Sequence, residues 1–559
     1  MQRISRLVGA FLIAATPLGA VAAADTIAPG AIAADDVSID TSAFHATMKR
    51  IALTGTSLSQ SDLAALLDPH SSVPAADRLA KLSAAHVAIP QLVLEIKAPA
   101  AKDKSNAATE PQSEKITFRD ISLDDVKNGR ASRADISATT AVIQSADSGE
   151  MQVAIGPAHL TNFDLVQLAT LLSAPSPATK ETVASLCDGL AIEGVKITVP
   201  ETNSDMGMGA VTLTRIKVHA SAVPASKDKS TAGFAHAYDR FDVSAIDFTD
   251  MRFQANNGST SWTGRIGHGV LSDMVADKVA DARFDDFTVT SDSGTVKIGH
   301  LGWHGPGDTA PNAQQKITGD ALAIDVGKLP MGADTGKPVH FLLSHFELTN
   351  EDFVDGSPTQ VHASIDHFSF DLAGFADGNF APVTALGYDK LDLSGQLQAR
   401  LDTDAHQFTL NALSLSGVDM GTVQLSGRFD EVTKGLFSSD QPALEAALVR
   451  VLLHHVEIKI ENTGLFDRVI TATAKRDRVS ETEVRKKFTD AAQSLVPTLL
   501  NHGKGSDQLA AALAKFIAEP KTLRLSVTAP DGISALDALL IKDPAELLDR
   551  LTIEAVADQ

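Results

Sequence analysis

Residues 343–348 (LSHFEL), 365–370 (IDHFSF), 388–393 (YDKLDL) and 410–415 (LNALSL) repeat one pattern: apolar, two residues, apolar, one residue, apolar. Their middle members, Phe346, Phe368, Leu391 and Leu413, follow one another at intervals of 22, 23 and 22 residues. A fixed period of this size is the mark of a repeat architecture. The last two apolar residues of each copy lie two apart, as on one face of a strand. The first step, of three, turns an unbroken strand over unless a β-bulge or tight turn restores the facing. Two strands of about eight residues with their turns fill such a unit, so the expected element is one β-hairpin of a meander. After Leu415 the return strand reads as Val423, Leu425 and Phe429, beyond a turn at Gly417–Gly421. Phe346, Phe368, Leu391 and Leu413 are then expected to be buried at equivalent positions.

The same pattern recurs at Phe118/Ile121/Leu123, Leu160/Phe163/Leu165, Ile192/Val195/Ile197, Leu213/Ile216/Val218, Phe248/Met251/Phe253 and Phe284/Phe287/Val289, among others. The resulting expectation is a mainly β chain, an elongated repetitive antiparallel sheet over residues 116–439. A helix-and-strand region with a linker, 25–115, precedes it and an α+β region, 440–559, follows. Asp25–Ala34 reads as an entry segment. Helical spacing marks Ser61–Leu67, Ala75–Ala85, Asp164–Leu172, Ala178–Leu186 and Pro442–Leu453. Ser480 and Glu483 form a capping box ahead of Val484, Phe488, Leu495 and Leu499, and Ser506 reads as the cap of a helix bearing Leu509, Leu513, Phe516 and Ile517. Leu523–Val527 and Leu551–Val556 alternate as strands.

Residues 1–24 carry Arg3 and Arg6, an apolar run Leu7–Ala15 and an Ala22-Ala23-Ala24 end, the layout of a cleaved export signal. Export to the periplasm is expected, with no transmembrane span once the leader is removed. The formal charge of −22 disfavours nucleic acid and anionic headgroups, which reward clustered Lys and Arg. A single cysteine, Cys187, leaves no intramolecular disulfide.

No motif assembles an active site. There is no G-x-S-x-G elbow. Gly332–Lys337 approaches a phosphate loop, but its glycines are one residue too close and Pro338 stands where Ser or Thr must hold magnesium. His345 and His367 fill one slot of successive units, about 9.6 Å apart if each unit is a hairpin, too far for one zinc ion. His454-His455 diverge, Asp402-Thr403-Asp404 reads as a hairpin turn, and Trp303 reads as packing rather than sugar binding. No metal, cofactor or catalytic residue is assigned.

With its leader, its repeated pattern and the alternating stretch Tyr388–Gly395, the chain resembles the AsmA-like and related periplasmic proteins of Gram-negative bacteria over residues 116–430. The resemblance implies long curved β-sheets, some forming an apolar groove linked to lipid traffic or envelope integrity, and it brings no catalytic residues. The N-terminus, which reads as cleavable, departs from that group, whose members usually stay anchored in the inner membrane. The expected function is that of a non-enzymatic envelope protein binding lipid or an envelope partner along its sheet. The candidate lining is Phe346, Leu348, Phe368, Phe370, Leu391, Leu393, Leu413 and Leu415. The alternatives are a structural or surface-binding protein whose sheet is closed by the C-terminal helices, and a hydrolase with a dispersed site.

Overall fold

The computed structural model describes residues 30–40, 44–96, 111–145, 149–172, 182–220, 241–256, 261–275, 278–305, 313–326, 339–354, 357–375, 380–433, 436, 441–500, 502–503, 505–534, 537 and 549–558. The leader and Gly332–Lys337 lie outside the described residues. The chain is mainly β, its paired strands are antiparallel, and it divides into two compact units, Met1–Asp292 and Ser293–Gln559.

In the first unit the strands are β1 (Ala31–Asp40), β2 (Phe44–Thr54), β3 (Ala84–Ile96), β4 (Pro111–Val126), β5 (Arg130–Ser145), β6 (Gly149–Ile155), β7 (Ala158–Asp164), β8 (Thr182–Val199), β9 (Ser204–Ala220), β10 (Phe241–Asn256), β11 (Ser261–Val275) and β12 (Lys278–Ser291). Neighbours in sequence are neighbours in space, the arrangement of a meander. β6 and β7 share one lane between β5 and β8, in a single register on either side of the break: Ile155 faces Thr139, and Ala158 faces Ile136. Pro157 has no N–H to give to the ladder. At Gly156 a Cβ would lie 2.0 Å from the Glu193 carbonyl oxygen, so only glycine fits there.

Strand β4 shows how the step of three works. Phe118, Ile121, Leu123 and Val126 are all buried, although both 118 to 121 and 123 to 126 are odd steps. The residues just before each re-entry, Asp120 and Asp125, have φ of 48°. One left-handed residue reverses the alternation and returns the next side chain to the same face. The same device occurs at Asn162, Gly194, Arg215, Asp250, Asp286 and His367, each directly before the middle residue of its apolar pattern. Asp, Asn and Gly dominate because they tolerate this conformation best.

Three helices close the first unit: α1 (Gln60–Leu67), α2 (Ala75–Leu79) and α3 (Leu165–Leu172). Leu63 and Leu67 of α1, Leu79 of α2 and Leu168 of α3 join Phe118, Leu92 and Leu213 in one buried core. A capping box of Ser59 and Asp62 starts α1. Arg78 finishes it, donating from Nη1 to the carbonyls of Leu66 (2.9 Å) and Asp68 (2.5 Å). Asp164 caps α3 by accepting from the amides of Val166 and Gln167.

The second unit continues as β13 (Gly294–His304), β14 (Gln314–Val326), β15 (Val339–Val354), β16 (Ser357–Asp371), β17 (Lys390–Asp402), β18 (Gln407–Gly417), β19 (Gly421–Asp430), β20 (Leu452–Asn462), β21 (Thr522–Ser534) and β22 (Thr552–Asp558), again pairing in sequence order. Helix α4 (Ala381–Ala385) lies in the β16–β17 connection, α5 (Gln441–Leu448) precedes β20, and α6 (Leu465–Asp477), α7 (Glu481–Leu499) and α8 (Ser506–Ala518) lie between β20 and β21.

Several expectations are corrected here. Phe346, Phe368, Leu391 and Leu413 sit on four successive strands of 11 to 16 residues, so the period of 22 is one strand with its turn and not a hairpin. His345 and His367 are therefore on adjacent strands. Strand β1 begins at Ala31, inside the presumed entry segment, and α2 ends at Leu79, with Ala84 already in β3. Of the helix expected over Ala178–Leu186, the described part, from Thr182, is strand. The helix expected over Pro442–Leu453 stops at Leu448 and becomes strand at Leu452. Gly505, with φ of 84°, takes the cap position before α8, and Ser506 is its buried first residue. The capping box of Ser480 and Glu483 is present as read.

Candidate functional site

Directly opposed residues of an antiparallel pair share a face of the sheet, so the register can be followed across the second unit. Leu348 faces Ile317 and Ala363, and Ala363 faces Leu397. Leu397 faces Leu413, which faces Leu425 and through it Ile458. A parallel row runs from Phe346 through Ile365, Gly395, Leu415 and Val423 to Ile460. Phe368 faces Leu393, and Phe370 faces Leu391. Along β17 the residues 391, 393, 395 and 397 alternate regularly, so all these rows lie on one side. On β16 the register shift between Ile365 and Phe368, with left-handed His367, keeps Phe368 and Phe370 there. The eight residues selected from sequence thus share one face.

That face is covered at two places. The β16–β17 connection folds back on it, and Phe370, Leu372, Tyr388 and Leu391 form a buried cluster with Phe341, Phe368, Phe375 and Phe380 packed around it. Phe341 and Phe368 stack at 6.0 Å, and Phe375 meets Phe380 edge-on at 4.9 Å. The Tyr388 hydroxyl donates to the Asp419 carbonyl (2.8 Å), and the Arg468 guanidinium of α6 lies 4.2 Å from the Tyr388 ring centre. Burial pushes the Tyr388 phenol up from its ordinary value, against the pull of Arg468. At the β22 side, Ala512 and Phe516 of α8 pack on Leu523, Ala555 and Ala557. Val484 and Phe488 of α7 pack instead with Ile470 and Ala474 of α6.

Between the two covers the face stands open. Ile365 is 38% exposed, Leu413 46%, Leu415 55% and Val423 49%. Of the four middle residues expected to be buried only Leu391 is: Phe346 and Phe368 are half-buried and Leu413 is exposed. Leu413 and Leu415 belong to the lining expected from the repeat, whereas Ile365 and Val423 do not. The pairing of Leu415 with Val423 across the Gly417–Gly421 turn was the signal that could have added the latter. Such a surface presents methyl and methylene groups that make no hydrogen bonds, and it gains free energy when another apolar surface displaces its water.

His345, His367, His454 and His455 take ordinary partners. His345 Nδ1 lies 2.6 Å from Asp320 Oδ1, His367 Nδ1 3.0 Å from Asp392 Oδ1, His454 Nε2 3.1 Å from Asp430 Oδ2 and His455 Nδ1 3.1 Å from Thr528 Oγ1. Among the described residues no group of three or more His, Cys, Asp or Glu could hold a metal ion. Trp303 faces Ile317, in line with Leu348 on the apolar face. Asp402 turns the β17–β18 hairpin by accepting from the amides of Asp404 and Ala405. Cys187 is fully buried, and burial pushes its thiol up to about 12, which removes the thiolate needed for reactivity at neutral pH. Among the described residues no helix is long and apolar enough to cross a membrane.

Residues 414–558 match a family model described only as an uncharacterized protein. The match covers about a quarter of the chain, from the end of β18 through α8 to β22, and so includes one border of the open strip. Comparison with the curated proteins finds no match.

Proposed function

We propose that this chain is a non-enzymatic, exported envelope protein that holds an acyl chain of a lipid on the open apolar strip of its second unit. The observation that carries the reading is the exposure of Ile365, Leu413, Leu415 and Val423, four apolar side chains on one face of β16, β18 and β19, with Gly395 of β17 between Ile365 and Leu415. The same face is covered farther out by the β16–β17 connection on one side and by α8 beside β22 on the other, so the strip has packed apolar surface on both sides. Three strand spacings give it a span of about 14 Å. Each methylene laid on it gains about 0.8 kcal/mol when fully buried. The export signal and the resemblance to AsmA-like proteins support the envelope setting.

The test is to purify the protein from the envelope of the cell that makes it, extract it with organic solvent and identify lipid by mass spectrometry. A double variant, Leu413→Asp with Leu415→Asp, changes two exposed side chains and leaves the fold intact, as circular dichroism would verify. Stoichiometric lipid on the wild type that is missing from the folded variant is the expected result. A wild type free of lipid, or a variant that keeps it, overturns the reading, and co-purification of one defined protein in place of lipid would assign the strip to a protein partner.

A further inference from the structure

The first unit carries a concave site of different chemistry. Strands β8 to β12 border a cleft of about 470 Å³, a size typical of small-ligand sites. One register row crosses it: Lys196 faces Gly207, Gly207 faces Arg252, Arg252 faces Arg265 and Arg265 faces Thr288. Two guanidinium groups directly opposed across strands repel each other. Asp250, in a left-handed conformation at φ 51°, bridges them, 2.7 Å from Arg252 Nη2 and 3.0 Å from Arg265 Nε. Lys196 has no ion-pair partner among the described residues. The next row on the same face brings Gln254, Thr263 and Thr290. Three cations stand here against the carboxylates of Asp250 and Asp205, in a chain whose formal charge is −22.

The row has a gap at Gly207. A Cβ there would meet nothing nearer than the Val195 carbonyl oxygen at 3.6 Å, so the space over this glycine is open rather than filled by a neighbour. Lys196 and Arg252 flank the gap two strand spacings apart, about 9.6 Å between backbones. Their long side chains can close on one anion between them.

We propose that this cleft binds a phosphate group, free or carried by a small hydroxylated ligand such as a glycerol headgroup. Phosphate fits because guanidinium forks donate to it in pairs and a lysine ammonium adds a point charge. Threonine hydroxyls and the Gln254 amide offer the remaining donors and acceptors, which suit hydroxyl groups on the ligand. The site lies in the first unit and is independent of the apolar strip, so either assignment can fail without the other.

The experiment is ³¹P NMR line broadening of inorganic phosphate and of glycerol 3-phosphate by the full-length protein at low ionic strength. Saturable broadening is expected. Lys196→Glu and Arg265→Gln should each weaken it about tenfold or more, the scale of one lost charge-assisted contact. Lys196→Glu removes no ion pair, so it keeps the fold, and circular dichroism verifies this for both variants. Tighter binding of glycerol 3-phosphate than of phosphate supports a headgroup or sugar phosphate as the ligand, whereas equal binding supports the free ion. No saturable broadening by the wild type, or broadening unchanged in both folded variants, overturns the proposal.

Discussion

The two units use one sequence pattern to opposite ends. In the first, Phe118/Ile121/Leu123 lies under α1–α3 and Ile121 is 6% exposed. In the second, Leu410/Leu413/Leu415 lies between two partial covers, and its middle residue is 46% exposed. The pattern therefore specifies which face of a strand is apolar, and burial depends on what other segment is laid over that face. Closing the first unit takes three short helices, two of them from the stretch between β2 and β3. The second has longer helices, but Val484 of α7 packs on α6, and the sheet beside β22 is reached by α8 together with Phe466 of α6.

The difference can be broken by mutation. The chain has two tryptophans, Trp262 on β11 and Trp303 on β13, so single-tryptophan variants report on each unit separately. Phe118→Ala should destabilise the first unit by about 3–5 kcal/mol, the cost of emptying a fully packed aromatic site, seen as a lowered denaturation midpoint of Trp262 fluorescence. Phe370→Ala, in the aromatic cluster under the β16–β17 connection, should cost the second unit about 3 kcal/mol, read from Trp303. Asp120→Val should cost about 2 kcal/mol because a β-branched residue resists a left-handed backbone, whereas Asp120→Gly should be close to neutral. A harmless Asp120→Val would show that the odd step is absorbed in some other way. Leu413→Ala should change stability by less than about 0.5 kcal/mol, as for other exposed sites. A loss there equal to that of Phe118→Ala would mean the strip is covered and would erase the contrast.

A smaller effect concerns pH. The Ser480 amide and hydroxyl, both donating to Glu483, hold its carboxyl below the ordinary glutamate value of 4.5. A depressed folded value means the cap contributes fully above that ordinary value and is lost as pH falls through the lowered one. Protection of the first-turn amides of α7, taken relative to their intrinsic exchange at each pH, should therefore fall only on strong acidification, and Glu483→Gln should flatten that dependence while still filling the capping position.

Much of this was legible in the chain. The antiparallel β class, the common face of the eight selected residues and the need for a facing correction at the odd step all follow from spacing. The strand length did not. A 16-residue strand such as β4 or β10 carries a left-handed residue near the middle, and that residue, Asp120 or Asp250, is of a type that also builds turns. One long strand with a reversal then reads as two short strands with a turn, and the period was assigned to a hairpin. The exposure of Leu413 and Leu415 was not legible because it depends on where α8 and the β16–β17 connection end. The cationic row escaped because Lys196, Arg252 and Arg265 lie on three strands, separated by 56 and 13 positions in the chain, and only register aligns them.

The sequential pairing of strands has a mechanical meaning. Within either unit a strand is hydrogen-bonded into the sheet only through the strands beside it, so tension along the chain should peel the sheet from an end, strand by strand. Each period of about 22 residues would release at most about 70–80 Å of contour. The expected force trace is a sawtooth whose tooth width follows the connection between strands, widest where the segment from α6 to α8 pays out between β20 and β21.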